Sequence, residues 1–246
     1  MPQHPGDALE ISRSEKVVEE TNPEAVVNCI GITKSREEAK DRLLSIWVNS
    51  LFPHQLYQIC RRRGARLIHI STDCVFSGKK GSCREDDPSD AGDIYGKTKY
   101  LGEVSGKGAL TIRTSLIGRE LSTTNGLVEW FLSNRGGKVD GFINAIFSGF
   151  PTFHLAKIIA DIITKHQNLS GIYHISAEPI SKFSLLTLIK EKMELDIEVQ
   201  EYPDFYCDRS LDSTLFRDKT GFKPLSWEKM LSEFVKDAIQ YQQWRA

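Results

Sequence analysis

Residues 66–73 read RLIHISTD: five residues of strand chemistry, then three polar ones. Leu67, Ile68 and Ile70 make the run apolar, and Ser71, Thr72 and Asp73 end it in hydroxyl and carboxylate groups. A short apolar run bounded by turn formers predicts a strand buried on both faces of a parallel sheet. Working outward, residues 25–30, AVVNCI, have the same texture and end at Gly31. Between the two runs, Leu44, Trp47, Leu51, Leu56 and Ile59 recur at roughly helical spacing over residues 37–63. Pro53 falls inside that segment and is expected to kink or split it. Arg61, Arg62, Arg63 and Gly64 read as its end, because cations suit the negative C-terminal dipole and glycine suits a left-handed cap. An anion site at those arginines is the competing reading. Upstream, residues 12–21 read as a helix, with Ser12 and Glu15 spaced as a capping box. Downstream, residues 94–104 read as helix and 110–113 as a further strand.

This strand–helix–strand rhythm implies right-handed crossovers and a mostly parallel, Rossmann-type sheet in an α/β fold. Past Arg119 the texture changes. Short strands near 138–142 and 171–175 mix with helices near 153–166, 181–193 and 227–241. The last helix carries Trp227, Met230, Leu231, Phe234, Val235 and Ala238 on one stripe, which predicts a core-facing helix. The expected division is a Rossmann-type domain over 1–119 and a smaller mixed α/β substrate lobe over 120–246, interleaved with returns to the sheet.

Composition narrows the functional classes. In 246 residues, 32 Lys and Arg stand against 33 Asp and Glu. This near-neutral balance offers no electrostatic footprint for nucleic acid. No apolar stretch approaches the roughly 18 residues needed to cross a bilayer. The opening MPQHPGDALE lacks the apolar core of a signal peptide. A cytoplasmic protein with no membrane or nucleic-acid partner is the expectation. Cys29, Cys60, Cys74, Cys83 and Cys207 form no Cys-x-x-Cys pair, and the six histidines form no His-x-x-x-His. Free thiols in a reducing compartment and no metal site are predicted.

The chemistry concentrates at Tyr95-Gly96-Lys97-Thr98-Lys99. Residues i and i+4 share a helix face, so Tyr95 and Lys99 can point into one cleft. A phenol with a reference pKa of about 10 is a poor acid near neutrality, and a neighbouring ammonium is expected to lower that pKa. By itself the pattern is equally that of a solvated helix face. Its context is more specific. A hydroxyl of Ser71-Thr72-Asp73, at the carboxyl end of the strand RLIHI, could hydrogen-bond a substrate carbonyl that the tyrosine protonates, an ordinary turn or cap being the competing reading. Gly31, at the end of AVVNCI, could let backbone approach a ligand closely.

These segments resemble the extended short-chain dehydrogenase/reductase family, and most of all its dTDP-4-dehydrorhamnose reductase branch. The resemblance is carried by VVNCIGIT (26–33), VNSLFPHQL (48–56), HISTDCVFSG (69–78), EDDPSDAGDIYGKTKYLGE (85–103), IRTSLIG (112–118) and SGFPT (148–152), and it covers almost the whole chain. It implies Tyr95 as proton donor, Lys99 as its partner on the nicotinamide ribose, and Thr72 polarising the C4 carbonyl of a sugar. Asp73 and Leu116 would stand on the substrate side. Gly31, Ile32 and Thr33 would line NADPH or NADH, with Asp7 and Ala8 near the adenine. The implied reaction is reduction of a nucleotide-linked 4-keto-6-deoxy sugar for polysaccharide synthesis, with assembly into a homodimer left open. The family's usual aromatic after Asp73 is here Cys74, and its usual tryptophan after Ser115 is here Leu116. The family's opening strand and Gly-x-x-Gly-x-x-Gly phosphate loop have no counterpart in the 246 residues. AVVNCI is then expected to be an apolar edge strand. A nucleotide-sugar C4 epimerase and a non-catalytic regulatory or binding subunit are the alternative functions.

Overall fold

A computed structural model describes residues 8–121 and 123–244. In chain order it forms α1 (Ile11–Thr21), β1 (Ala25–Asn28), α2 (Arg42–Ile46), α3 (Phe52–Arg63), β2 (Arg66–Ile70), α4 (Ile94–Leu101) and β3 (Ala109–Arg113). There follow β4 (Leu116–Ile117), α5 (Leu127–Ser133), β5 (Lys138–Phe142), β6 (Ala145–Phe147), β7 (Phe150–Pro151), α6 (Thr152–Lys165) and β8 (Gly171–His174). The chain closes with β9 (Ile180–Ser181), α7 (Lys182–Met193), β10 (Glu198–Tyr202), β11 (Cys207–Asp208), α8 (Thr214–Thr220) and α9 (Trp227–Trp244). Two compact units share these elements: residues 1–77, 85–113 and 162–174 in the first, and 78–84, 114–161 and 175–246 in the second.

The first unit is built on a four-stranded sheet in the order β1-β2-β3-β8, every pair parallel. Leu67, Ile68, Leu110 and Ile112 are fully buried, so β2 and β3 are covered on both faces, as their continuous apolar character predicts. Among the described residues β1 is an edge, and Val27 and Ile30 are exposed there. β1 stops two residues short of the predicted run because the Asn28 side-chain oxygen accepts the Ile30 N–H (3.1 Å) and turns the chain.

The helices differ from the sequence reading in instructive ways. α1 begins at Ile11 after an Glu10 cap that makes no side-chain bond, so Ser12 sits inside the helix and no capping box forms. Glu15 and Glu19 instead pair with Arg62 and Arg63 of α3. The arginine run is therefore a helix end tied to a neighbouring helix, with Gly64 at φ +70° closing it. The helical segment over 37–63, expected to kink or split at Pro53, is divided already before the proline. Asp41 caps α2 by accepting the Leu44 N–H (3.0 Å), and residues Trp47–Leu51 form a π-helical turn before α3. Pro53 follows at the start of α3. It has no N–H to offer the carbonyl four residues back, at Asn49, so the ladder widens there and the Phe52 N–H bonds to Trp47.

The second unit has its own core. α7 packs with α9 and against β5, which pairs in parallel with β10. Trp227, Met230, Leu231, Phe234 and Ala238 of the predicted stripe are buried with Leu185, Leu186 and Ile189. Leu116 lies on β4, paired with Phe150 of β7, and is half exposed. All five cysteines are free. Among the described residues no helix is long and apolar enough to cross a membrane.

Candidate active site

The site forms where the carboxyl ends of β1 and β2 meet α4, the usual ligand face of an open parallel sheet. β2 delivers Ser71, Thr72 and Asp73, all buried. Thr72 is extended and caps a 3-10 turn over Asp73–Val75: its Oγ1 accepts the Cys74 N–H (3.1 Å) and donates to the Asp73 carboxylate (3.1 Å). The Thr72 side chain acts on the Tyr95 phenol and opposes the rise of its pKa, so the two residues on which the predicted chemistry depends lie side by side. Ser71 is turned away and donates to Glu103 (2.8 Å), so of the two adjacent hydroxyls only Thr72 serves the Tyr95 side.

Two missing side chains hold α4 at this distance. Asp93 caps the helix by accepting the Gly96 N–H (2.7 Å). A Cβ on Gly96 would stand 2.1 Å from the Cys74 carbonyl oxygen. One on Gly102, just past the helix, would stand 1.9 Å from the Asn49 carbonyl oxygen, the group left without a helical donor by Pro53. α4 is thus seated backbone against backbone at both ends. The glycine of the Tyr-Gly-Lys motif is a packing requirement of the helix that carries Tyr95 and Lys99.

Asn49 was not singled out in the sequence. It is fully buried: its Oδ1 accepts the Ile32 N–H (2.8 Å), and its Nδ2 donates to the Ile32 carbonyl (2.9 Å) and to Thr98 Oγ1 (3.2 Å). One amide thereby fastens the loop after β1 to α4. The one available signal was an asparagine in a helical segment four residues before proline. The same loop places Gly31 within 3.9 Å (from its absent Cβ) of Lys99 Nζ, with Ile32 buried and Thr33 exposed beside it. Ala8 is buried in one apolar cluster with Ile32, Val48 and Phe52. Asp7 lies outside the described residues.

The electrostatics correct one expectation. Burial pushes the Tyr95 phenol above its ordinary pKa; the Thr72 side chain opposes this, and Cys74, Asp73 and Asp93 reinforce it. Lys99 does not pull it down. Its ammonium, itself buried, donates to the Ile70 carbonyl (2.7 Å) and is lowered to about 8 by loss of solvent, against Glu103 and Cys29, which raise it. Desolvation outweighs the pairing on both groups. The arrangement is therefore a protonated phenol beside a threonine hydroxyl, with a readily titrated lysine one helical turn away. Burial keeps Tyr95 in the protonated form that a proton donor needs, while weakening it as an acid.

Residues 2–240 match the family described as RmlD substrate binding domain. The chain belongs to that family. Like other RmlD-family proteins it has an α/β, Rossmann-type parallel sheet with helices. It is 30% identical over 230 residues to the spore coat polysaccharide biosynthesis protein SpsK of Bacillus subtilis, covering 87% of this chain and 80% of that protein. It is 42% identical over 87 residues to the dTDP-4-dehydrorhamnose reductase of Streptomyces griseus, 35% of this chain and 29% of that one. The crystal structure of dTDP-4-dehydrorhamnose reductase from Bacillus anthracis in complex with NADP superposes with a TM-score of 0.81 at 25% identity, over 94% of this chain and 86% of the other. The RmlD-family match and the motif resemblance thus point to one branch of one superfamily.

Proposed function

We propose that this RmlD-family chain is an NAD(P)H-dependent oxidoreductase that reduces a nucleotide-linked 4-keto-6-deoxy sugar, in the synthesis of a surface polysaccharide. The observation that carries the reading is the grouping of Thr72, Tyr95 and buried Lys99 at the carboxyl end of β2, with Lys99 donating to the Ile70 carbonyl. Relatives named as dTDP-4-dehydrorhamnose reductases and a polysaccharide biosynthesis protein support the substrate class. We assign the dinucleotide to the unit with the parallel sheet, with Asp73 on the substrate side of that unit.

The residues present fit the nicotinamide end of the cofactor. Among the described residues the acceptor for the Lys99 ammonium is the Ile70 carbonyl, which leaves N–H donors for a ribose diol, and Gly31 keeps the space beside Nζ free of a side chain. NADPH or NADH would supply a hydride there. Thr72 would orient and polarise the ketone through its hydroxyl, Tyr95 would give its proton to the oxygen, and Lys99 would hold the ribose. Titrating the purified chain with NADPH and NADH by nicotinamide fluorescence, then adding 4-keto nucleotide sugars, tests this. Saturable binding and cofactor oxidation are the expected result.

A folded chain that binds neither cofactor would overturn the reductase reading.

The pH dependence has a definite sign. Lys99 donates hydrogen bonds as an ammonium, the form present below its pKa of about 8. Tyr95, raised above its ordinary value, stays a phenol over the same range. The expected profile of kcat/KM for reduction is flat from neutrality to about pH 8, then falls about tenfold per pH unit. A rise across that interval would contradict the assignment of Lys99.

A further inference from the structure

Glu103 follows α4 and takes no part in the chemistry described above, yet its side chain is only 3% exposed. Its carboxylate accepts three hydrogen bonds: from Arg113 Nε (2.8 Å) and NH2 (2.7 Å) as a bidentate pair, and from Ser71 Oγ (2.8 Å). Arg113, equally buried on β3, also donates to the Glu85 carbonyl (3.3 Å), lies 3.2 Å from His174 Nε2 and stacks over Phe76 at 5.4 Å. His174 donates its own N–H to the Glu85 carboxylate (2.8 Å). A buried ion pair yields little net stability against well-packed apolar residues. This one is connected to the site on two sides. Ser71 is the residue before Thr72, and the Lys99 ammonium is bound to the carbonyl of Ile70, the residue before Ser71.

We propose that Glu103 is a positioning residue: one buried carboxylate holds the Ser71–Thr72 shelf by hydrogen bond and faces the Lys99 ammonium with its counter-charge. The assignment rests on the reductase reading for its purpose, but not for its test. The titratable groups facing Lys99 are Glu103, Cys29 from the end of β1 and His69 from β2. Burial, with Lys99 and His54 adding, holds His69 well below its ordinary pKa, so it is neutral and supplies no charge. Burial likewise raises Cys29, which stays a thiol near neutrality. Glu103 is left as the anion that keeps Lys99 protonated.

The test follows the Nζ titration of Lys99 by heteronuclear NMR in the full chain labelled at lysine, assigned by the resonance lost in Lys99→Arg. In Glu103→Gln the midpoint is expected to fall by about one unit or more, the size of shift a close opposite charge produces. Glu103→Asp, which keeps the charge, should return it most of the way. Glu103→Gln leaves Arg113 buried without a counter-ion and could fail to fold. Glu103→Gln combined with Arg113→Met removes both charges and should show a smaller fall of the same sign, because the repulsion from Arg113 is lost too. A midpoint unmoved in a folded variant overturns the proposal. This readout needs no turnover, so a chain that proved inactive would sink the reductase reading and leave this one standing.

Discussion

Tyr95→Phe is expected to lower the turnover of 4-keto sugar reduction by about 10²–10⁴-fold, the usual contribution of a positioned general acid. Cofactor binding should be little changed, because the substitution removes one hydroxyl and leaves Lys99 and Gly31 in place. The cost in stability should be small, about 1 kcal/mol for one hydrogen bond, since Thr72 keeps its bonds to Asp73 and Cys74. The paired measurement is single-turnover kinetics beside thermal denaturation. Turnover within a few-fold of the parent would remove Tyr95 from the role of proton donor. A loss of activity with a collapsed melting curve would say nothing about chemistry, which is why both are measured.

The second large effect is expected at Gly96. Alanine there would put a Cβ 2.1 Å from the Cys74 carbonyl oxygen and 2.7 Å from the Ala91 side chain. That carbonyl belongs to the turn that Thr72 caps, so it cannot retreat without shifting Thr72 relative to Tyr95. Overpacking of this kind costs about 1–3 kcal/mol, or about 2–4 °C of Tm per kcal/mol in a chain of this size. A displacement of about 1 Å between reacting groups can cost 10²-fold in rate. Gly96→Ala should therefore lose both stability and turnover. Gly92→Ala, in the loop before α4, meets nothing within 4 Å and should lose neither. Equal behaviour of the two variants would show that the close approach of α4 is not what sets the site.

Much of the first unit was legible because its signals are local. RLIHI is a strand over the predicted residues, since an apolar β-branched run has few alternatives. Gly64 closes α3 with a left-handed φ, as the end of a basic run suggested. The stretch 37–63 was harder to read. Its apolar periodicity is helical throughout, but one cap at Asp41 and one proline at 53 divide it, and periodicity does not register a widened turn. The capping box at Ser12 did not form because the helix starts one residue earlier, at Ile11, and Glu15 pairs with Arg62.

For the site, the sequence by itself determined which groups could do the chemistry and in what order they arrive: a hydroxyl at the end of one strand, then a tyrosine and lysine on one helical face. Tertiary structure decided the rest. It chose Thr72 over Ser71 by giving Ser71 to Glu103. It raised Tyr95 and lowered Lys99, against the expected mutual help, because both are withdrawn from water. It made Asn49 a clamp between the loop at Ile32, 17 residues from it, and the helix at Thr98, 49 residues from it. Hydrogen-bond partners and solvent access are properties of groups distant in sequence, so no local pattern encodes them, whereas strand and helix propensity act within a few residues.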